Sequence, residues 1–368
     1  MPEPHLPWLP LGEINRAHRE AFHAALDRVL DSGRLLLGQE LSGFETAFAH
    51  VCGTAHFLGT ASGLDALAIA FLAMELPEGS EVLVPANSFV ASALGISRAG
   101  LVPVPVDIDP ATGNLDPQEI LRKSTPRTRA VLAVHLHGIP APMDRICQIA
   151  ETADLAVVED AAQAHGAALH GRPCGSFGAA AAFSFYPGKN LGALSDAGGI
   201  ACQDVGLAGR IALWRNYGSR EKYRHELPGW NSRLSDLDAA FLHAKLASLA
   251  QENRRRREIA DRLRELLVGT SVRLPEAPQG AEPSWHLFPV LSPRRDALRS
   301  HLAQCGIETL IHYPVPIHRQ DCYPELHRLS LPASEAWCSQ TLSLPVHPLL
   351  TDAQVERIAT AVARFPGT

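Results

Sequence analysis

The run Leu155-Ala-Val-Val-Glu-Asp160-Ala-Ala-Gln163-Ala-His165-Gly-Ala continues through Phe183-Ser-Phe-Tyr-Pro-Gly-Lys189-Asn to Gly199, and the architecture can be read outward from it. Leu155 to Val158 has the length and composition of a strand buried on both faces, and it stops abruptly at two carboxylates. Glu159 and Asp160 therefore stand at a strand's C-terminal edge, where open α/β sheets bind their ligands. Lys189 lies 29 residues beyond Asp160 (189 − 160). It follows a second apolar, small-residue segment, Ala179 to Tyr186, and is bracketed by Pro187-Gly188 and a Gly-rich tail, Gly192 to Gly199. Taken singly, an acid at a strand tip reads as a cap or a solvated end, and a lysine among glycines as a surface charge. Together and in this order they point to a site.

A lysine amine becomes a nucleophile toward aldehydes when burial or nearby cations lower its pKa, and a carboxylate facing a pyridine nitrogen keeps that nitrogen protonated. These are the two protein groups that pyridoxal phosphate chemistry requires. Val158-Glu-Asp-Ala-Ala-Gln-Ala-His-Gly and Ser184-Phe-Tyr-Pro-Gly-Lys-Asn-Leu-Gly-Ala-Leu resemble the signature segments of the DegT/DnrJ/EryC1/StrS sugar aminotransferase family. The resemblance extends from Leu37 to about Leu344. It implies an α/β chain with the fold-type I aminotransferase architecture: a mostly parallel sheet between helix layers, plus a smaller C-terminal α/β domain.

Composition agrees with an enzyme of ordinary globular type. The chain has 368 residues, 46% hydrophobic and 20% charged, which is enough for one large and one smaller domain. We place them at 1–250 and 251–368. A formal net charge of −6 argues against a nucleic-acid surface, and the dense basic cluster Arg254 to Arg257 is flanked by Glu252 and Glu258. That pattern reads as a solvated helix face, with a phosphate-contacting patch as the other reading. Seven cysteines without a C-x-x-C pair suit free thiols in a reducing compartment. The start Met1-Pro-Glu-Pro-His lacks the basic and apolar parts of a signal peptide, and no apolar run reaches membrane-span length. A cytoplasmic enzyme without membrane partners is expected.

Along the chain, helical spacing over residues 12–31 and over Gln39 to Val51 is followed by short apolar strands alternating with helices, a βαβ rhythm. Phe57-Leu-Gly-Thr-Ala-Ser-Gly is a strand with a small-residue turn before an Ala-rich helix. Thr60, Ala61 and Ser62 there either cradle a phosphate at a helix N-terminus or simply cap the helix. Phe89 follows the strand Glu81 to Pro85, and is either a core residue or a ring that stacks on a flat ligand. His135-Leu-His137 could be read as metal ligands, but no second Cys or His pair recurs at matching spacing, so no metal is expected. His165 reads as structural. A long charged helix starts near Gln251, a strand-like segment covers Trp285 to Val290, and another strand is expected at Glu308 to Leu310. The loop Ile311 to Gln320 is stiffened by Pro314 and Pro316.

The family resemblance assigns roles to these positions. It implies that Lys189 joins the cofactor's aldehyde and then acts as general base and acid, and that Asp160 supports the ring nitrogen. It implies Gln163 at the ring oxygen, Phe89 over the ring, and Thr60, Ala61, Ser62 and Ser184 at the phosphate. Asn231 would reach the phosphate of a partner subunit, making a homodimer with shared active sites. The turn Arg34-Leu-Leu-Leu-Gly38 would lie near the partner's site. Tyr186, Tyr217, Arg233, Tyr313 and His318 would line the substrate side. The implied reaction moves the amino group of L-glutamate, leaving 2-oxoglutarate, onto a nucleotide-linked keto sugar. The His-Tyr-Pro-x-Pro-x-His form of the loop at 312–318 is most similar to members acting at C3, so a dTDP-3-keto-6-deoxyhexose is expected, with a C4 aminotransferase as the alternative. Ser195 and Ala197 stand where the family commonly has glycine, and Leu64 where it has threonine. Lys189 argues against the histidine-bearing dehydratases of this fold. A non-catalytic regulator is the other class, and no helix-turn-helix-sized basic segment supports it.

Overall fold

Branched and small apolar runs make the strands, in chain order β1 (His56–Thr60), β2 (Glu81–Pro85), β3 (Val102–Val106), β4 (Thr128–Val134), β5 (Ala156–Asp160), β6 (Ala168–Leu169), β7 (Arg172–Pro173), β8 (Ala180–Ser184), β9 (Gly198–Cys202), β10 (Ala281–Glu282), β11 (Phe288–Leu291) and β12 (Thr341–Leu344). The helices are α1 (Leu11–Arg16), α2 (Arg19–Ser32), α3 (Gln39–Cys52), α4 (Gly63–Ala73), α5 (Val90–Arg98), α6 (Pro117–Lys123), α7 (Met143–Thr152), α8 (Val205–Arg215), α9 (Asp236–Leu266), α10 (Arg295–Gln304), α11 (Pro332–Gln340) and α12 (Asp352–Ala363). The structure is a computed structural model and describes residues 5–366. The start read above for its composition lies, as far as residue 4, outside them.

Seven strands form the main sheet in the order β1-β9-β8-β5-β4-β2-β3. All neighbouring pairs from β8 to β3 are parallel, and β9 alone runs against its neighbours β8 and β1. The mostly parallel sheet is therefore as expected. Its faces follow the two-residue period of a strand. In β4, Ala130, Leu132 and Val134 enter one core with α4, α5 and α8, while Val131 and Ala133 enter another with α6 and α7. In β5, Val158 faces the first core and Val157 the second. Continuing that alternation sends Asp160 to the α5 side and Glu159 to the opposite one.

Three elements depart from the sequence reading. The helix expected over 12–31 is two, α1 and α2, because Ala17 and His18 close tight turns onto Glu13 O and Asn15 O. Glu308 to Leu310 is no strand: Ile307 bridges Leu6 and Leu310 bridges Ser343, two single contacts with different partners. The long helix starts at Asp236, 15 residues before Gln251 (251 − 236), with Ser235 Oγ capping Asp238 N at 3.0 Å. It runs 31 residues. Its first half packs Leu242 and Leu249 under the main sheet, and its second half packs Ile259, Ala260 and Leu263 against β11, β12, α10 and α12. Arg256 lies on that buried stripe, and its Nη1 donates to Val346 O at 2.6 Å. The solvated-face reading of the basic cluster fails for that residue.

Candidate active site

The strand register brings most of the expected residues to one edge. Val134 lies opposite Asp160, Asp160 opposite Ala182, Ser184 opposite Gly198, and Gly198 opposite Thr60. The C-terminal ends of β1, β4, β5 and β8 thus share an edge with the start of β9, the edge at which parallel sheets take ligands.

Asp160 is buried and held from two sides: Ser92 Oγ donates to Oδ2 at 2.7 Å and Ala162 N to Oδ1 at 3.2 Å. Ser92, in the first turn of α5, was not singled out from sequence. Its only signal is a hydroxyl among the apolar residues that this helix buries. Lys189 follows β8 in a turn closed by its N–H on Tyr186 O at 2.8 Å. Burial lowers its amine from 10.5 to about 8, and the Asp160 carboxylate opposes that shift. Around the amine, His165 and His312 are each pushed down to about 3, chiefly by burial and, for both, also by the lysine's charge. They are neutral at pH 7, so the anion that Lys189 meets is Asp160.

Gln163 is fixed at both ends of its amide. Oε1 accepts from His137 N at 2.5 Å, and Nε2 donates to Tyr313 OH at 3.0 Å. Phe89 is 51% exposed, with its ring centroid 5.0 Å from that of Tyr313, so it is not a core residue. The pair His135 and His137 holds protein groups. His135 Nδ1 accepts from Ala141 N at 3.0 Å and its Nε2 meets Glu159 Oε2 at 2.9 Å. Glu159 is fully buried and accepts further from Gly175, Phe177 and Gly178 N–H groups at 2.7 to 2.8 Å. His165 packs among Phe48, Phe183 and Phe185.

At the start of α4, Ser62 is an N-cap, its Oγ accepting from Asp65 N at 3.1 Å. Thr60 Oγ1 donates to Ser62 O at 3.0 Å, and Ala61 N donates to Ser232 Oγ at 3.1 Å. Two glycines hold this helix end against the sheet. A Cβ on Gly63 would stand 2.6 Å from Ser184 Cβ, and one on Gly198 would stand 2.3 Å from Ser62 C. Asn231 and Arg233 flank Ser232, the acceptor for Ala61 N, with Tyr217 beside them: Arg233 Nη1 donates to Asn216 Oδ1 at 3.1 Å and its guanidinium lies 5.3 Å from the Tyr217 ring centre. Asn231 is exposed, and Tyr186 is 58% exposed. His318 is fully buried, with Nε2 at 2.8 Å from Glu335 Oε1, so its ring is engaged with Glu335 and not with the cluster around Lys189.

Residues 16–363 match the model of the DegT/DnrJ/EryC1/StrS aminotransferase family. The chain belongs to this family. It is 47% identical, over 98% of its length and 96% of the relative's, to a dTDP-3-amino-3,4,6-trideoxy-alpha-D-glucose transaminase of Streptomyces venezuelae. It is 45% identical to a dTDP-3-amino-3,6-dideoxy-alpha-D-galactopyranose transaminase of Aneurinibacillus thermoaerophilus, over 98% and 99% of the two chains. Among solved structures, DesV of S. venezuelae, determined with a ketimine intermediate, superposes with a TM-score of 0.95 at 46% identity, covering 98% of each chain. The fold is that of pyridoxal phosphate aminotransferases, and pyridoxal phosphate is the family's cofactor. The residues here fit that group. Gly63 and Gly198 let the N-terminus of α4 pack directly beside Ser184 and the start of β9, and a depressed lysine amine is opposed by a carboxylate already held by Ser92.

Proposed function

We propose that the protein transfers the amino group of L-glutamate to C3 of a dTDP-linked 3-keto-6-deoxyhexose, giving the dTDP-3-amino-3,6-dideoxyhexose and 2-oxoglutarate. The observation that carries this reading is Lys189, its amine lowered to about 8 and set against Asp160 at the ligand-binding edge of the sheet. The choice of dTDP and of C3 is supported by the two transaminases named above.

Pyridoxal phosphate, when bound, supplies the electron sink and the aldehyde through which an amino group passes from donor to acceptor. The chain's own residues do the rest. Lys189 Nζ, partly in its base form near pH 8, carries a proton away from the donor's α-carbon and returns one to C3 of the sugar. Asp160 would hold the ring nitrogen protonated, Gln163 Nε2 would serve the ring oxygen and Phe89 the ring face. Thr60, Ala61, Ser62 and Ser184 bind phosphate at the positive end of the α4 dipole. Asn231, exposed on each subunit, completes the partner's phosphate site in a homodimer. The exposure of three successive leucines, Leu35, Leu36 and Leu37, supports a partner that covers them. Tyr186, Tyr217, Arg233, Tyr313 and His318 form the sugar-nucleotide side, His318 through the loop it anchors. Residues 251–368 make the smaller domain, and the setting is the cytoplasm. No helix among the described residues is long and apolar enough to cross a membrane.

The deciding experiment is an absorbance titration of the purified protein with L-glutamate and then with dTDP-linked 3-keto and 4-keto sugars. A visible cofactor band that glutamate bleaches and the 3-keto sugar restores is the expected result. Restoration by the 4-keto sugar alone moves the reaction to C4. A band indifferent to glutamate and unchanged in Lys189→Ala refutes an aminotransferase.

A further inference from the structure

Residues 59–61, the end of β1 and the turn before α4, run alongside residues 232–234, which lead from Asn231 into α9. The two stretches pack without space between them: a Cβ on Gly59 would stand 2.7 Å from Leu234 Cβ, and Ala61 N donates to Ser232 Oγ at 3.1 Å. Ser232 is 1% exposed, whereas Asn231 before it is exposed and Arg233 after it is half-buried. Its backbone is fixed as well. Ser232 N donates to Arg215 O at 3.0 Å, and the Arg215 guanidinium reaches back to Gly59 O at 2.8 Å.

The hydrogens on this contact can be assigned. A backbone N–H only donates and a carboxylate only accepts, so Ser232 takes the Ala61 hydrogen on its oxygen and spends its own on Asp65 Oδ2 at 2.8 Å. Asp65 is held in turn: its N–H donates to Ser62 Oγ at 3.1 Å, and Arg98 Nη1 donates to its Oδ1 at 3.3 Å. A circuit therefore closes around the first turn of α4, from Ala61 through Ser232 and Asp65 to Ser62. It engages the N–H groups of Ala61 and Asp65. Those of Gly63 and Leu64, which as first-turn amides have no acceptor inside the helix, are left for an anion.

We propose that Ser232 is a positioning residue for the cofactor phosphate, a buried hydroxyl that acts through Ala61 by holding the turn 60–62 in the shape that aims the amides of α4. The proposal rests on the phosphate site of the function above. Ala61 then serves the phosphate through the turn it anchors, its own N–H being taken by Ser232. Asp65 stands third in α4, where its charge repels a phosphate. Arg98 offsets that charge, and the carboxylate fixes the direction in which the Ser232 hydroxyl points.

The test compares two ligands. Full-length protein freed of cofactor is titrated with pyridoxal phosphate and, separately, with pyridoxal, which has the same ring and aldehyde but no phosphate, and binding is read from absorbance. In Ser232→Ala, the affinity for pyridoxal phosphate is expected to fall by about tenfold, with that for pyridoxal within about twofold of native. Equal losses for both ligands make Ser232 a packing residue and overturn the proposal, as does no loss for either. Ser184→Ala, measured in parallel, separates this outcome from the reading beneath it. If Ser184→Ala loses the preference for the phosphate and Ser232→Ala keeps it, the role of Ser232 alone is refuted; if both keep it, the proposed phosphate site falls too. The native protein gives a second reading that needs no variant to fold: hydrogen exchange at the Ala61 amide should slow by at least about fivefold with pyridoxal phosphate and not with pyridoxal. An Ala61 rate indifferent to the phosphate overturns the proposal.

Discussion

At the scale of single residues, the decisive quantity is the depressed amine of Lys189. In the unfolded chain it binds a proton up to about 10.5, and in the folded one only up to about 8, so between these values the unfolded state holds more protons. Stability of the cofactor-free protein gained from this group therefore rises with pH from 8 to 10.5, and below 8 the buried charge is a constant cost. The expected outcome is that Lys189→Met melts higher than the native chain at pH 7, with the gap closing by pH 10; parallel melting curves would show that the amine is not depressed. Ser92→Ala removes a 2.7 Å hydrogen bond from a buried carboxylate, a loss of about 1–1.5 kcal/mol. Equilibrium titration with pyridoxal phosphate should show a fall in affinity of about 5- to 10-fold. Lys189 and Asp160 were legible in sequence because their chemistry is unusual at a strand end. Ser92 was not, since it acts only through a neighbour that folding brings from 68 residues away.

At the scale of elements, helix starts and parallel strands were visible wherever one period ruled the segment. The Gly192 to Gly199 tail hid β9, because its first two residues are glycines that carry no apolar signal. Those glycines are required by close approach. Gly198→Ala sets a methyl against the backbone of Ser62, an overpacking cost of about 1–3 kcal/mol, and shifts the N-terminus of α4 from Ser184. Such a variant should still fold, shown by circular dichroism, and should lose at least about tenfold in cofactor affinity. On the other face of β5, the Glu159 carboxylate ties the 175–178 loop and His135 to one strand. Glu159→Gln puts an amide hydrogen pair against donors, and the thermal midpoint should drop, by about 3–5 kcal/mol of stability. A drop under about 1 kcal/mol would show that the loop is held by other means. Arg256 escaped the reading because interspersed charges do not say which side of a helix meets water: Glu258, Asp261 and Arg262 are exposed, whereas Arg256 shares the buried stripe of Ile259 and Leu263.

At the scale of the whole molecule, three exposed leucines in succession and an exposed Asn231 are the surface that the proposed homodimer would cover. Leu36→Asp should convert a dimer to a monomer in light scattering at micromolar protein, and the monomer should release its cofactor on dialysis. A dimer that persists in the variant would place the interface elsewhere. The order of the sheet has a consequence for how the protein is made. β1 and β8 share no ladder and are joined in the sheet through β9, with only side chains such as Phe57 and Phe183 meeting across it, so a chain that has emerged as far as residue 197 lacks the strand that joins them. Gly198 follows Thr60 by 138 residues of synthesis (198 − 60), about 7 to 28 seconds at ribosomal rates. The five residues of β9 join Thr60 and Ser184 through the one residue Gly198. On the proposed reading of the phosphate site, a chain whose last strand has not entered would lack the edge at which the phosphate is to sit.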